Sequence, residues 1–362
     1  MKILFFIDSL TAGGRERRLV ELLFYLKQQV NYEICLVLTE ESIEYTYVRN
    51  LQISLHIIKR KLTKYDPSMF YRFYRIAKQF KPDIIHSWSM MTTWYSIPTK
   101  LLLKKPLLAN LIADSKDISK MSIIKRFFFQ VDFKFADVIL GNSKAGFNAY
   151  GMRDNDRTYL IYNGVRLERF SRVIDIEKKK KKLNIKARFV ILMVASASKN
   201  KDYDLFLDIA GQINSANRDV LFLGVGDGSE LERLNRRIAC EHIKNVNLVG
   251  RRNDVEELCA LADICLLFTH GEGISNSIIE YMATGKPVIT TDAVGGSREI
   301  IEDGKSGYIM QSKEDLVAKI TELLNNEKLR QKLGERGRNI IYEKFTIEKM
   351  GKEYEILYKK YS

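Results

Sequence analysis

Thirteen short apolar runs divide this chain at regular intervals, and their internal pattern limits the fold more than any other feature. Residues 2–7 (KILFFI), 33–38 (EICLVL), 53–58 (ISLHII), 83–86 (DIIH), 107–112 (LLANLI), 137–141 (DVILG) and 158–162 (TYLIY) form a first series. A second comprises 189–194 (FVILMV), 220–225 (VLFLGV), 246–250 (VNLVG), 264–268 (ICLLF), 287–291 (PVITT) and 307–310 (GYIM). Most are apolar at consecutive positions, so strands built from them need cover on both faces. The intervening segments, 15–29, 68–80, 202–216 and 229–241 among them, space their apolar residues as amphipathic helices do. Buried strands alternating with helices predict an α/β class with parallel, doubly wound sheets. Two series predict two such domains, 1–170 and 187–345, joined by a linker at 171–186. Residues 346–362 read as a terminal helix able to cross back to the first domain. The linker holds Lys178 to Lys182, either a solvated helix surface or a basic patch for phosphate or lipid.

No run approaches the roughly 18 apolar residues that span a bilayer. The N-terminus has one lysine and a short apolar run without a small-residue cleavage site, and reads as a first strand, not a signal peptide. Cys35, Cys240, Cys259 and Cys265 sit in apolar surroundings without metal-ligand spacing and read as buried reduced thiols of a cytoplasmic protein. With four scattered histidines, neither a metal site nor a cofactor is expected. The net charge is +14, and it is uneven: residues 1–170 hold 27 Lys+Arg against 16 Asp+Glu, a surplus of 11. A basic surface suits anionic partners, but no nucleic-acid recognition module accompanies it.

In open parallel sheets, ligands bind beyond the carboxyl ends of the strands. After the first strand comes TAGGRERR, where Gly13 and Gly14 let an anion approach a helix N-terminus. The pattern is not G-x-G-x-x-G, which argues against a nicotinamide nucleotide. After 264–268 comes HGEGISNSIIEYMATGKPVI, with Glu272 and Glu280 separated by seven residues. Ser275 or Asn276 is suited to cap a helix there. The amides at its start can receive a diphosphate, Glu280 can accept hydrogen bonds from vicinal hydroxyls such as those of a ribose, and Glu272 can address what lies beyond the phosphates. The same pair also fits a carboxylate serving a helix dipole beside an unrelated surface acid.

The wider stretch favours the first reading. It resembles the E-x7-E motif of the retaining nucleotide-sugar glycosyltransferases of family four, which have the GT-B fold of two Rossmann-like domains facing a cleft. LFLGVGDGSELERL (221–234), the run from VNLVGRRNDVEEL to HGEG (246–273), KPVITTDAVGGSREII (286–301) and EDGKSGYIM (302–310) resemble successive segments of that family. TAGGRE and YLIYNGVRLERF (159–170) resemble its first-domain loop and its domain-closing segment. The resemblance implies that Glu272 orients the donor sugar, Glu280 binds the ribose, and amides from Gly273 through Ile274, Ser275, Asn276 and Ser277 hold the diphosphate, with Gly271 and Gly14 close to the donor. Gly250, Arg251 and Arg252 would flank the base, and Lys201 would neutralise the departing diphosphate. His86 and Arg15 are candidates on the acceptor side. Two positions depart from the family pattern. Ser196 and Ser198 stand where an arginine often precedes the lysine, leaving Lys199 as the nearby cation, and Ile112, Ala113 and Asp114 stand where a histidine is common.

The implied function is transfer of a sugar, with retention and without a metal, from a nucleotide diphosphate donor, by resemblance a UDP-sugar. The acceptor would be a glycan or a polyprenyl-linked carrier in surface polysaccharide or glycoconjugate synthesis. A noncatalytic homologue that binds sugar nucleotides or polysaccharide is the alternative. Two aromatic and basic helical segments, 68–81 and 122–135, add an expectation of peripheral association with the inner, anionic face of the cell membrane.

Overall fold

A computed structural model of the chain describes residues 1–11, 13–61, 65–112, 121–152, 155–171, 173–216, 219–291 and 295–362. Every apolar run is a strand. The first series forms β1 (Lys2–Ile7), β2 (Glu33–Leu38), β3 (Ser54–Ile57), β4 (Ile84–Ser87), β5 (Leu107–Ile112), β6 (Val138–Gly141) and β7 (Thr158–Leu160). The second forms β8 (Phe189–Val194), β9 (Val220–Val225), β10 (Val246–Leu248), β11 (Ile264–Leu267), β12 (Val288–Thr291) and β13 (Gly307–Met310). They assemble into two sheets, ordered β3-β2-β1-β4-β5-β6-β7 and β10-β9-β8-β11-β12-β13. All pairings are parallel.

Strand β1 shows why consecutive apolar residues are needed. Ile3, Phe5 and Ile7 enter one core with the helix Gly14–Gln28, while Leu4 and Phe6 enter another with Met69, Phe73 and Ala77 of the helix Ser68–Phe80. Spacing of four places those three on one stripe of their helix. In each sheet the order reverses beside one strand. β1 lies between β2 and β4, and β8 lies between β9 and β11. At such a point successive crossovers leave in opposite directions and open a crevice at the carboxyl ends.

The chain divides into two compact units, Met1–Gly164 with Ile347–Ser362, and Val165–Thr346. Residues 165–186 therefore belong to the second unit. The lysine run forms the helix Ile176–Lys182, whose Lys179 is buried and bonded to Asp254 and Glu257.

The helix Ile347–Tyr361 completes the first unit. Its Tyr354 and Tyr358 are fully buried, and Tyr358 meets His86 Nδ1 at 2.8 Å. Asn110 Nδ2 donates to His86 Nε2 at 2.8 Å, and Asn110 Oδ1 accepts from Arg18 at 3.4 Å, which fixes the amide orientation. His86 Nδ1 therefore carries the proton. Burial, with Arg18 nearby, holds this imidazole well below its ordinary pKa. The acceptor-side expectation for His86 is corrected: it is fully buried, both ring nitrogens are engaged, and a strand covered on both faces leaves it no surface. Cys240 also departs from expectation, being exposed on the polar helix Leu231–Cys240, while Cys35, Cys259 and Cys265 are buried.

Gly351 sits where the terminal helix meets Tyr25; a methyl group there would lie 2.2 Å from the Tyr25 ring. Gly211, on the helix Tyr203–Ala216, has nothing within 4 Å of such a methyl. Gly351→Ala should destabilise the protein by about 1–3 kcal/mol through overpacking, whereas Gly211→Ala should stabilise it by up to about 1 kcal/mol through helix propensity. Thermal denaturation followed by circular dichroism checks both signs.

Candidate functional site

The reversal at β8 brings the loops after β8 and β11 side by side, and there Lys199 and Lys201 lie beside the stretch 271–277, while Gly250, Arg251 and Arg252 follow β10 on the far side of β9. Lys201 pairs with Thr269 in an isolated antiparallel bridge. Asp202 N donates to Phe268 O at 3.0 Å, and His270 N donates to Asn200 O at 3.0 Å. The Asn200 side chain donates to Gly271 O at 2.9 Å, and Thr269 Oγ1 donates to Asn200 O at 3.1 Å. On this frame Lys201 Nζ meets Glu272 Oε2 at 2.5 Å, with side-chain exposures of 10% and 28%. The two residues expected to perform the chemistry are thus an ion pair across the two loops. A cation so shielded needs a partner, because desolvation penalises an unpaired charge.

Behind Glu272 runs the chain after β12. Glu272 bridges Gly295, and Gly296 N donates to Glu272 O at 3.0 Å. A Cβ on Gly295 would lie 2.4 Å from Glu272 O, and one on Gly296 would lie 2.8 Å from Gly273 O. Only glycines permit that approach.

The helix Asn276–Ala283 follows, with Ser275 at its N-cap. Ser275 makes no side-chain capping bond, so its hydroxyl does not serve the first-turn amides. Ser277 Oγ donates to Val194 O at 2.7 Å, and Val194 N donates to Tyr281 Oη at 2.5 Å. These bonds clamp the helix start to the end of β8. Gly273, Ile274 and Ser275 are buried, and Asn276 and Ser277 are half-buried. Glu280, on the fifth residue of the helix, is buried, and its Oε1 meets Arg169 Nη2 at 3.3 Å. The same guanidinium pairs with Glu256, its Nε reaching Oε1 at 2.7 Å.

Lys199 is exposed beyond the end of β8, near Ser196 and Ser198, whose hydroxyls lie 3.1 Å apart. Gly250 lies near the start of the loop after β10 with φ +67, and its carbonyl accepts from Gly226 N at 2.8 Å. Arg251 is exposed, while Arg252 is held by Asp254 at 2.7 Å. Gly14 and Arg15 lie in the first unit. There Arg15 Nη2 meets Glu16 Oε1 at 2.9 Å, and Glu16 folds back so that a Cβ on Gly13 would lie 2.0 Å from its carboxylate. That helix start already has an acidic side chain beside it. The departure at Ala113 and Asp114 lies outside the described residues. Among the described residues no group of three His, Cys, Asp or Glu is placed to hold a metal ion.

Reasoning from sequence missed Arg169, Asn200 and the doublet Gly295–Gly296. The doublet follows the carboxyl end of β12, so inspecting every loop at that end of the sheet would have found it. Arg169 stands 111 residues from Glu280, and no local pattern joins them.

Two adjoining family profiles match the chain, "Glycosyltransferase Family 4" over residues 12–169 and "Glycosyl transferases group 1" over residues 175–340. N-acetyl-alpha-D-glucosaminyl L-malate synthase of Bacillus anthracis is 35% identical over 143 residues, which are 39% of this chain and only 37% of that protein. The N,N'-diacetylbacillosaminyl-diphospho-undecaprenol alpha-1,3-N-acetylgalactosaminyltransferase of Campylobacter jejuni is 27% identical over 284 residues, 73% of each protein. HepE of Anabaena, crystallised with UDP and glucose, superposes with a TM-score of 0.88 at 21% identity, covering 99% of both chains. The two profiles with their near-continuous cover, and the paired parallel sheets, establish that this chain belongs to the family four glycosyltransferases and has the GT-B fold.

Proposed function

We propose that the protein transfers a sugar, with retention, from a UDP-sugar to a glycan or polyprenyl-linked acceptor in the synthesis of surface polysaccharide or glycoconjugate. The observation that carries this reading is the Lys201–Glu272 pair at the reversal beside β8, next to the start of the helix Asn276–Ala283. In the proposed complex the diphosphate lies on main-chain amides from Gly273 to Ser277, Lys201 and Lys199 meet its charge, and Glu280 receives the ribose hydroxyls. Glu272 contacts the sugar. Gly250 and Arg251 flank the base. The bond from the anomeric carbon to the diphosphate oxygen breaks, and the electron pair leaves with the diphosphate. The acceptor hydroxyl oxygen bonds to that carbon from the same face, and its proton passes to the departing phosphate. Lys201 stabilises the charge that develops there, so the reaction proceeds without a bound metal. The relatives support a nucleotide-sugar donor and a carrier-linked acceptor: one acts on a diphospho-undecaprenol substrate, and HepE holds UDP.

Membrane association belongs to the same proposal. No described helix is long and apolar enough to cross a membrane. On the helix Ile123–Phe135, however, Ile123, Ile124 and Phe127 are exposed beside Lys125 and Arg126, while Phe129 turns inward. Phe128 stacks on Tyr65 at 5.3 Å and meets Trp94 edge-on at 4.9 Å. Apolar side chains flanked by cations suit the inner leaflet of an anionic membrane, from which a lipid-linked acceptor would be taken.

Four outcomes are expected. Glu280→Gln should weaken UDP binding, read by calorimetry, by about 10- to 100-fold, the worth of a hydrogen bond to a charged group; unchanged affinity would remove the ribose contact. Glu272→Gln should lower kcat by about 100-fold or more while leaving UDP affinity within a few fold, and turnover should persist in excess EDTA. In flotation assays, vesicles containing anionic lipid should recover more protein than neutral ones, and equal recovery would remove the electrostatic docking.

A further inference from the structure

We infer that Arg169 is a positioning residue for the donor, acting through Glu280: its guanidinium sets the orientation of the carboxylate that receives the ribose. The inference rests on the ribose-binding reading of Glu280 given above.

Arg169 closes a short 3-10 turn, Leu167–Arg169, at the start of the second unit. That turn has no side-chain cap. Four residues earlier, Val165 N donates to Phe345 O at 2.9 Å, and Val165 pairs with Thr346 in a parallel bridge. One end of the segment 165–169 is thus held by main-chain pairing, and the other by the Arg169 side chain. The guanidinium is engaged along its edge and its face. Nε meets Glu256 Oε1 at 2.7 Å, Nη2 reaches both Glu256 and Glu280, and the Phe170 ring lies 5.2 Å from the guanidinium carbon. A planar fork held on two sides loses little further freedom when it orients a partner. Its side chain is only 14% exposed, unlike a solvated surface arginine.

Glu280 is the more shielded partner, with a side chain 6% exposed. A carboxylate so removed from water requires a charge-assisted partner. Arg169 supplies it at Oε1, and anchoring one oxygen fixes the plane of the group. That plane decides where the lone pairs of both oxygens point, and so whether two vicinal hydroxyls can reach them together. Glu256 enters as the counterweight. Its side chain is 24% exposed and lies closer to the guanidinium than Glu280 does, so it holds Arg169 in place while the longer contact orients Glu280.

The test compares two ligands on four proteins by calorimetry: UDP and 2′,3′-dideoxyuridine 5′-diphosphate, on the wild type, Glu280→Gln, Arg169→Met and the double variant, with Arg169→Lys as the conservative control. The wild type should prefer UDP, and Glu280→Gln should abolish that preference. Arg169→Met should reduce it by about tenfold, the scale of one charge-assisted hydrogen bond, while binding the dideoxy ligand as the wild type does. The double variant should be no worse than Glu280→Gln alone, and Arg169→Lys should recover part of the preference. The dideoxy ligand reports the integrity of the rest of the site, so misfolding is not mistaken for lost orientation. If Glu280→Gln keeps the preference, the ribose reading fails and this inference falls with it. If Glu280→Gln loses it and Arg169→Met keeps it, or if Arg169→Met weakens both ligands alike, Arg169 has no positioning role and the ribose reading stands.

Discussion

Parallel strands cannot be joined by tight turns; each must be reached by a crossover that returns the chain to the starting end of the sheet. Both units obey this constraint throughout, so their strand-to-helix loops gather at one end of each sheet. Where β8 has β9 on one side and β11 on the other, crossovers diverge and leave room between the loops at 195–202 and 268–275. The position of the lysine and of the two glutamates follows from that topology.

Within that space, charge is balanced locally. Lys201 is nearly buried, yet Glu272 is at hydrogen-bonding distance, and Glu280 is nearly buried, yet Arg169 lies beside it. Each pair offsets the desolvation of its more shielded member. In the complex proposed above, a diphosphate drawn to Lys201 exchanges one anionic partner for another, so the lysine need not be stripped bare before it binds. The surrounding frame joins main-chain bonds, donated by Asp202, His270 and Gly296, to side-chain bonds from Asn200 and Thr269, and a site cross-linked in this way keeps its shape when charge arrives.

The fold was largely legible in the sequence because strands covered on both faces leave continuous apolar signatures, and even the half-exposed β3 kept enough of one. The Glu272–Glu280 spacing was legible because it is local. Features that depend on distant segments were not. His86 was read as a strand-end group near an acceptor, but the terminal helix covers it through Tyr358, 272 residues away. Residues 171–186 look like a linker in composition, yet Asp254 and Glu257 give the buried Lys179 its partners. Cys240 has apolar neighbours in sequence, but the periodicity of its helix turns it outward. Arg169 and the glycine doublet acquire meaning only once chain segments are brought together in space.

The contact of Gly295 and Gly296 with the backbone of Glu272 and Gly273 bears on how such a protein can diversify. At these two positions the loop rests on peptide groups, so any side chain there would press on the backbone that carries the acid, whereas the Asn200 and Thr269 side chains hold the loop from its other side. Sequences that diverge from this one can therefore change around the loop only so long as the two hydrogen-only positions persist.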